Sequence, residues 1–181
     1  GASTGVLSVR TAATMTFDSV LTIESGGQLT TVEGPPSGTI IADTGARFAG
    51  AGLVANSGTV RFAGAGVMPI DPDLFWNSGT NSLVEVTNGT LDIESLAFDT
   101  QGGFFVAPGA VLRTQNDFAL TPTSVLEFGI SGPASDSANY GQLQLPSGEF
   151  TAAGTLRTML DGYEPVLADV YSLIACSVGD C

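Results

Sequence analysis

The sequence predicts an all-β fold, a parallel β-solenoid, on three observations. Short segments alternate apolar and polar residues, they open on a recurrent Gly-led triplet at about 20-residue spacing, and the composition favours turns and strands over helix.

Alternation has the period of half-buried strands. In Thr59-Val60-Arg61-Phe62, Val60 and Phe62 share one face while Thr59 and Arg61 take the other. Thr90 to Glu94 repeats the arrangement with Leu91 and Ile93 inside, Leu126, Phe128 and Ile130 alternate around Glu127, and Leu143 and Leu145 alternate with Gln142 and Gln144. The charge beside each apolar residue is expected on a solvated outer face.

The strand starts recur as Gly, a small or polar residue, then an aliphatic: Gly27-Gln28-Leu29, Gly38-Thr39-Ile40, Gly58-Thr59-Val60, Gly89-Thr90-Leu91, Gly109-Ala110-Val111 and Gly154-Thr155-Leu156. The step from Gly38 to Gly58 equals the step from Gly89 to Gly109. That spacing suits one coil of a solenoid, in which no coil buries its apolar face alone and stacking makes the core continuous. The step from Gly58 to Gly89 is longer by half, read as one coil plus an insertion, placed in the Pro- and Asp-rich run Met68 to Asp73. Residues 66–82, with Pro69, Pro72, Phe75 and Trp76, then read as a loop excursion, and residues 131–139 as a polar loop. A β-sandwich of seven or more strands is the alternative fold.

Neither excursion resembles an interdomain linker, so the expectation is a single β-solenoid domain over 1–181. The opening Gly1-Ala2-Ser3-Thr4 without Met, and the ending at Cys181, suggest a fragment or processed part of a longer protein. Hydrophobic residues make up 43% and charged residues 13%, which argues against charge-driven disorder. Twenty-four glycines supply positive φ for tight turns.

Eighteen acids stand against five basic residues, all Arg, for a net charge of −13. Such a field repels nucleic acid and anionic lipid, and no apolar run approaches the ~20 residues of a membrane-spanning helix. Neither nucleic acid nor membrane insertion is therefore expected. Cys176 and Cys181 can close a small disulfide loop in an oxidising compartment, and free or intermolecularly paired thiols are the alternative.

The segment from Tyr140 to Ile174 carries a more specific series: Tyr140-x-x-Leu143-x-Leu145, Gly154-Thr155-Leu156, Gly162-Tyr163-Glu164-Pro165 and Tyr171-Ser172-Leu173-Ile174. It resembles the closing coils of autotransporter-like passenger domains and related extracellular surface parallel β-helix proteins. The match covers about a fifth of the chain, and Ala168-Asp169 stands where the family commonly has a Gly before the last strand. The resemblance implies a right-handed parallel β-helix, displayed or released outside the cell and often adhesive. Tyr163, Val166, Leu167, Val170, Tyr171 and Ile174 also fit a helix begun at Pro165. The β-prone Tyr171 to Ile174 and the resemblance favour strand.

Catalytic chemistry finds little purchase. There is no His, so triads and Cys–His dyads lack their base. A carboxylate-only glycosidase would have to draw on Asp71, Asp73, Asp92, Glu94 and Asp99, and the motifs associated with β-helix glycan-cleaving enzymes are missing. No catalytic residue and no resident cofactor is therefore expected. Calcium is the one ion considered, on Asp71 and Asp73 with loop carbonyls, against a Pro-stiffened turn with solvated acids. Asn88-Gly89-Thr90 is a glycosylation acceptor sequence. An ice-binding face would need ranks of Thr, and Thr14 with Thr16 gives one pair.

Together these readings point to a non-catalytic structural or adhesive module of an extracellular assembly, on a cell or virion surface or secreted. Its partners would be itself or sister subunits, stacked end to end or side by side, as open solenoid ends allow. The competing reading is a carbohydrate-binding or carbohydrate-degrading β-helix module with Phe75 and Trp76 as a stacking platform for surface glycans.

Overall fold

Alternation demands that each short strand find a neighbour on both edges, and parallel stacking on the preceding coil supplies one without a hairpin. The computed structural model describes residues 6–10, 12–23, 25, 28–33, 37–95 and 97–177. Every strand-to-strand ladder among them is parallel, which excludes the β-sandwich and establishes a β-solenoid. The only helical turn among the described residues is a 3-10 turn at Ser137–Asn139, inside the polar loop expected over 131–139.

Three sheet faces repeat along the stack. The first is a seven-stranded sheet of Thr14–Phe17, Thr39–Ala42, Thr59–Phe62, Leu83–Val86, Gly103–Val106, Val125–Ile130 and Thr155–Leu160. The second runs through Val20–Thr22, Thr90–Ile93, Val111–Thr114, Gln142–Leu145 and Ile174–Cys176. The third holds Val6–Val9, Gln28–Thr31 and Ala97–Asp99, and beyond them a separate two-stranded sheet of Phe118–Leu120 and Phe150–Ala152. Two long strands, Arg47–Asn56 and Val67–Asn77, cross the corner between the second and third faces. Their ladder changes register between Gly50 and Leu53. Gly50 permits that bend: its φ is +102°, and a Cβ there would stand 2.4 Å from the Ile23 carbonyl oxygen.

These long strands correct two expectations. Residues 66–82 are not a loop excursion, because Val67–Asn77 is a single long strand within the stack. The two prolines tolerate extended φ, and Pro72 lies opposite Gly50 where the ladder is already interrupted. Nor is there an insertion between Gly58 and Gly89. Gly58 opens a strand of the first face and Gly89 one of the second, while Leu83–Val86 is the true successor of Thr59–Phe62. Coil length varies with register. It is short from Thr39 to Thr59 and longer by half from Val125 to Thr155, where the 131–139 loop is accommodated.

The interior is built of rows running along the stack. Met15, Ile40, Val60, Val84, Phe104 and Leu126 form one row of the first face. Met68, Leu91, Leu112, Leu143 and Ile174 form one of the second. Phe104 and Phe118 meet edge to face at 5.2 Å, and Phe118 stacks on Phe150 at 6.3 Å. Each fully buried Phe or Leu contributes about 1.5–3 kcal/mol relative to exposure.

The corner from the third face to the first carries a polar ladder. Thr31 Oγ1 donates to Asn56 Oδ1 at 2.6 Å, Asn56 Nδ2 to Asn77 Oδ1 at 2.8 Å, and Asn77 Nδ2 to the Gly103 carbonyl at 3.0 Å. Both Asn side chains are fully buried and satisfied, so they fix coil register rather than exact a desolvation penalty.

The closing segment is neither helix nor strand over 163–173, and a strand forms only at Ile174–Cys176. Tyr140 and Tyr171 pack edge to face at 5.3 Å, and the Tyr171 hydroxyl donates to the Gly132 carbonyl at 2.9 Å. These aromatics pin the 131–139 loop to the closing segment.

Candidate functional site

In a solenoid, outward residues at one register position form rows perpendicular to the strands, about 4.8 Å apart. The first face carries one such row with chemical content: Arg61, Glu85, Phe105, Glu127 and Arg157. The adjacent row on the same face is Leu83, Gly103, Val125 and Thr155. Gly103 has no side chain between Leu83 and Val125, so the surface falls away there into a groove of about 370 Å³. Phe105 forms its aromatic wall, bracketed by Glu85 and Glu127, with Arg157 and Met159 at the far end.

Electrostatics divide the row. Arg61 Nε donates to Glu85 at 2.6 Å, so that carboxylate is already matched. Glu127 and Arg157 make no ion pair or side-chain hydrogen bond with any described residue, although each lines the groove. The groove therefore presents an aromatic surface, one unmatched acceptor and one unmatched guanidinium.

The residues singled out in the sequence do not converge. Asp71 pairs with Arg47 on the second face, and Asp73 lies exposed in the Val67–Asn77 strand. Among the described residues no group of three or more His, Cys, Asp or Glu side chains comes together. Phe75 and Trp76 are not a shared platform: Phe75 is fully buried, while Trp76 is 41% exposed on the outside of the third face. Successive residues of a strand point to opposite faces, so the pair is split by geometry. Asn88 lies exposed in a turn with its Oδ1 accepting from the Gly89 amide at 2.9 Å. Cys176 ends a strand of the second face, and its expected partner Cys181 lies outside the described residues. Thr14 stacks with Thr39 and Thr59 in a longer rank than the Thr14/Thr16 pair suggested, and Leu83 ends it.

Asp92 departs from the solvated reading. It points outward by alternation yet is only 6% exposed, covered by Arg113 of the next coil, to which it is bonded. The hydrogen bond to Asp92 holds the Arg113 pKa above the ordinary guanidinium range. Asp92 Oδ1 and Arg113 Nε are buried without partners, so this pair sits at higher stakes than the exposed Arg47–Asp71 pair. Glu94 is exposed, and Asp99 Oδ1 accepts from the Gln101 amide at 3.1 Å.

No protein-family model, curated protein or solved structure matches the chain. The fold stands on its own geometry. It is a β-solenoid, with no helix among the described residues long and apolar enough to cross a membrane.

Proposed function

We propose that the chain is a non-catalytic structural or adhesive module of an extracellular assembly, built like the passenger domains its closing segment resembles. The observation that supports this reading is the state of the two ends of the stack. Among the described residues, Leu7 at one end and Leu156 and Leu160 at the other face the interior by alternation yet are 48–52% exposed, although the interior between them is closed. Thr14–Phe17 and Thr155–Leu160 are also the outermost strands of the first face among the described residues. Their free edges carry backbone groups that a further parallel strand would satisfy.

A second copy placed head to tail would continue every row. In the same register Leu156 would lie against Met15 and Cys176 against Leu21, apolar on apolar. A rod of this kind is long, rigid and suited to surface display or adhesion. The test is the concentration dependence of size by analytical ultracentrifugation and negative-stain images. The wild-type protein should form end-to-end oligomers, and Leu156→Lys with Leu160→Glu should leave folded monomers. Monomers of the wild-type protein throughout the micromolar range would overturn the stacking mode.

A further inference from the structure

From the groove over Gly103 we infer a binding site for an uncharged glycan on the first face, independent of whether the ends of the stack associate. Three features carry the inference. First, the groove is open along the solenoid axis and crosses the coils that hold Leu83, Gly103, Val125 and Thr155. At about 4.8 Å per coil this run is about 14 Å long, enough for two pyranose rings. Its volume of about 370 Å³ lies within the range of small-ligand sites. Second, Phe105 is half-buried and offers a ring to the C–H face of a sugar. Third, the polar groups around it are balanced rather than of one sign. Glu127 supplies acceptor oxygens and Arg157 supplies donors, both unmatched among the described residues, while Glu85 is already neutralised by Arg61.

That balance selects the ligand class. An organic cation drawn to Phe105 and Glu127 would meet Arg157, and an anion drawn to Arg157 would meet Glu127. A neutral polyol has one apolar face and a rim of hydroxyls that both donate and accept, so it satisfies each group in turn. A peptide strand is disfavoured for a different reason. Leu83–Val86, Gly103–Val106 and Val125–Ile130 are bonded on both edges. Among the described residues the one free edge near the groove, that of Thr155–Leu160, points along the stack away from Gly103 and Phe105, so a peptide strand cannot pair where the aromatic wall lies. The site also differs from the Phe75–Trp76 pairing read from the sequence, since Trp76 faces outward on the third face.

The experiment is saturation-transfer NMR and calorimetry on the whole chain with cellobiose, maltose, lactose and N,N′-diacetylchitobiose as probes. At least one should bind with a dissociation constant on the order of millimolar. Phe105→Ala should weaken that binding by about 10-fold or more, the scale of a lost aromatic stacking contact. Gly103→Val should abolish it by filling the groove. The added Cβ meets the Ser82 carbonyl at 3.3 Å and a Leu83 methyl at 3.4 Å, so a small local shift accommodates it. Trp76→Ala should leave affinity unchanged. Circular dichroism checks folding, and should Phe105→Ala fail to fold, Gly103→Val decides alone. The inference is overturned by no binding of any of the four sugars at about ten times that concentration. Binding that survives Gly103→Val, loss with Trp76→Ala, or saturable binding of a Lys-rich peptide at the groove in their place would overturn it equally.

Discussion

The middle of the stack and its last coil carry the same sequence pattern and meet opposite fates. In Thr59–Phe62 the alternate residues Val60 and Phe62 are buried to 1% exposure or less. In Thr155–Leu160, Leu156 continues the row of Val60 and Leu160 that of the buried Ile130, yet each is 48% exposed. Both strands are parallel-paired to the coil before them, and among the described residues only the middle one has a coil after it. Alternation therefore marks which residues face the interior, while the following coil decides whether an interior exists. Burial in a solenoid is a nearest-neighbour property.

The sharpest way to break this comparison is to place the same charge in both regions. Leu91 is fully buried between Met68 and Leu112, so Leu91→Asp loses about 1.5–3 kcal/mol of apolar burial and adds several more for an unpaired buried carboxylate. That is comparable to the whole stability of a domain, about 5–15 kcal/mol, and circular dichroism should find no cooperative fold. Leu160→Asp, on the terminal strand, should change stability by less than about 1 kcal/mol in urea unfolding of the monomer. Equal losses at the two positions would mean that the last coil is covered in solution by something other than a second copy.

A smaller contrast separates the two ion pairs of the second face. Arg113 covers a carboxylate that is 8% exposed at its side chain, whereas Arg47 and Asp71 are each more than 40% exposed. Arg113→Ala leaves Asp92 buried and uncompensated, at a loss of about 3 kcal/mol, the low end for a broken buried pair because Arg113 itself is partly solvated. Arg47→Ala should lose about 0–1 kcal/mol. Adding Asp92→Asn to Arg113→Ala should recover part of the loss, since it removes the stranded charge. Thermal and urea unfolding of the three variants measure this directly.

How much of this was legible in the sequence follows from the same nearest-neighbour logic. Within one strand the inside residues were readable: Val60, Phe62, Leu91, Ile93, Leu126, Phe128, Leu143 and Leu145 are all buried. Between strands the register was not. Gly-led triplets open strands on more than one face, so the stretch from Gly58 to Gly89 looked like a coil with an insertion when it spans a coil and a change of face. Prolines in 66–82 suggested a loop, since their effect on a ladder depends on a neighbour the sequence does not name. Glu85, Phe105, Glu127 and Arg157 follow one another at unequal steps, and only the register turns those steps into one row. The coil-spaced Arg and acid pairs, Arg61 with Glu85 and Asp92 with Arg113, were hidden for the same reason.

The smallest expected effect lies in the closing segment, where hydrogen bonds rather than apolar rows hold the chain. The Tyr163 hydroxyl donates to Asp169 Oδ2 at 2.6 Å, and the Val166 amide donates to the same oxygen at 2.9 Å. The Tyr163 bond is the main cause that holds the Asp169 pKa below the ordinary carboxylate value, with the Val166 amide second. The same bond raises the Tyr163 pKa above that of a free phenol. The signs are opposite for the two groups. Asp169 is depressed on folding, so its contribution is present above about pH 4 and is lost as pH falls through its lower folded value. Tyr163 is raised, so its contribution is present below about pH 10 and is lost as pH rises toward its higher folded value. The clasp should therefore be intact between those limits and open at either extreme, while Trp76, on the third face, reports an unchanged stack. Amide exchange at Val166, followed by NMR from pH 2 to 7, should accelerate at the acid end without a change in Trp76 emission. Tyr163→Phe should move that acid transition upward toward the ordinary carboxylate range. An exchange rate at Val166 that follows only the intrinsic pH dependence of amides would show that the bond to Asp169 does not hold the segment.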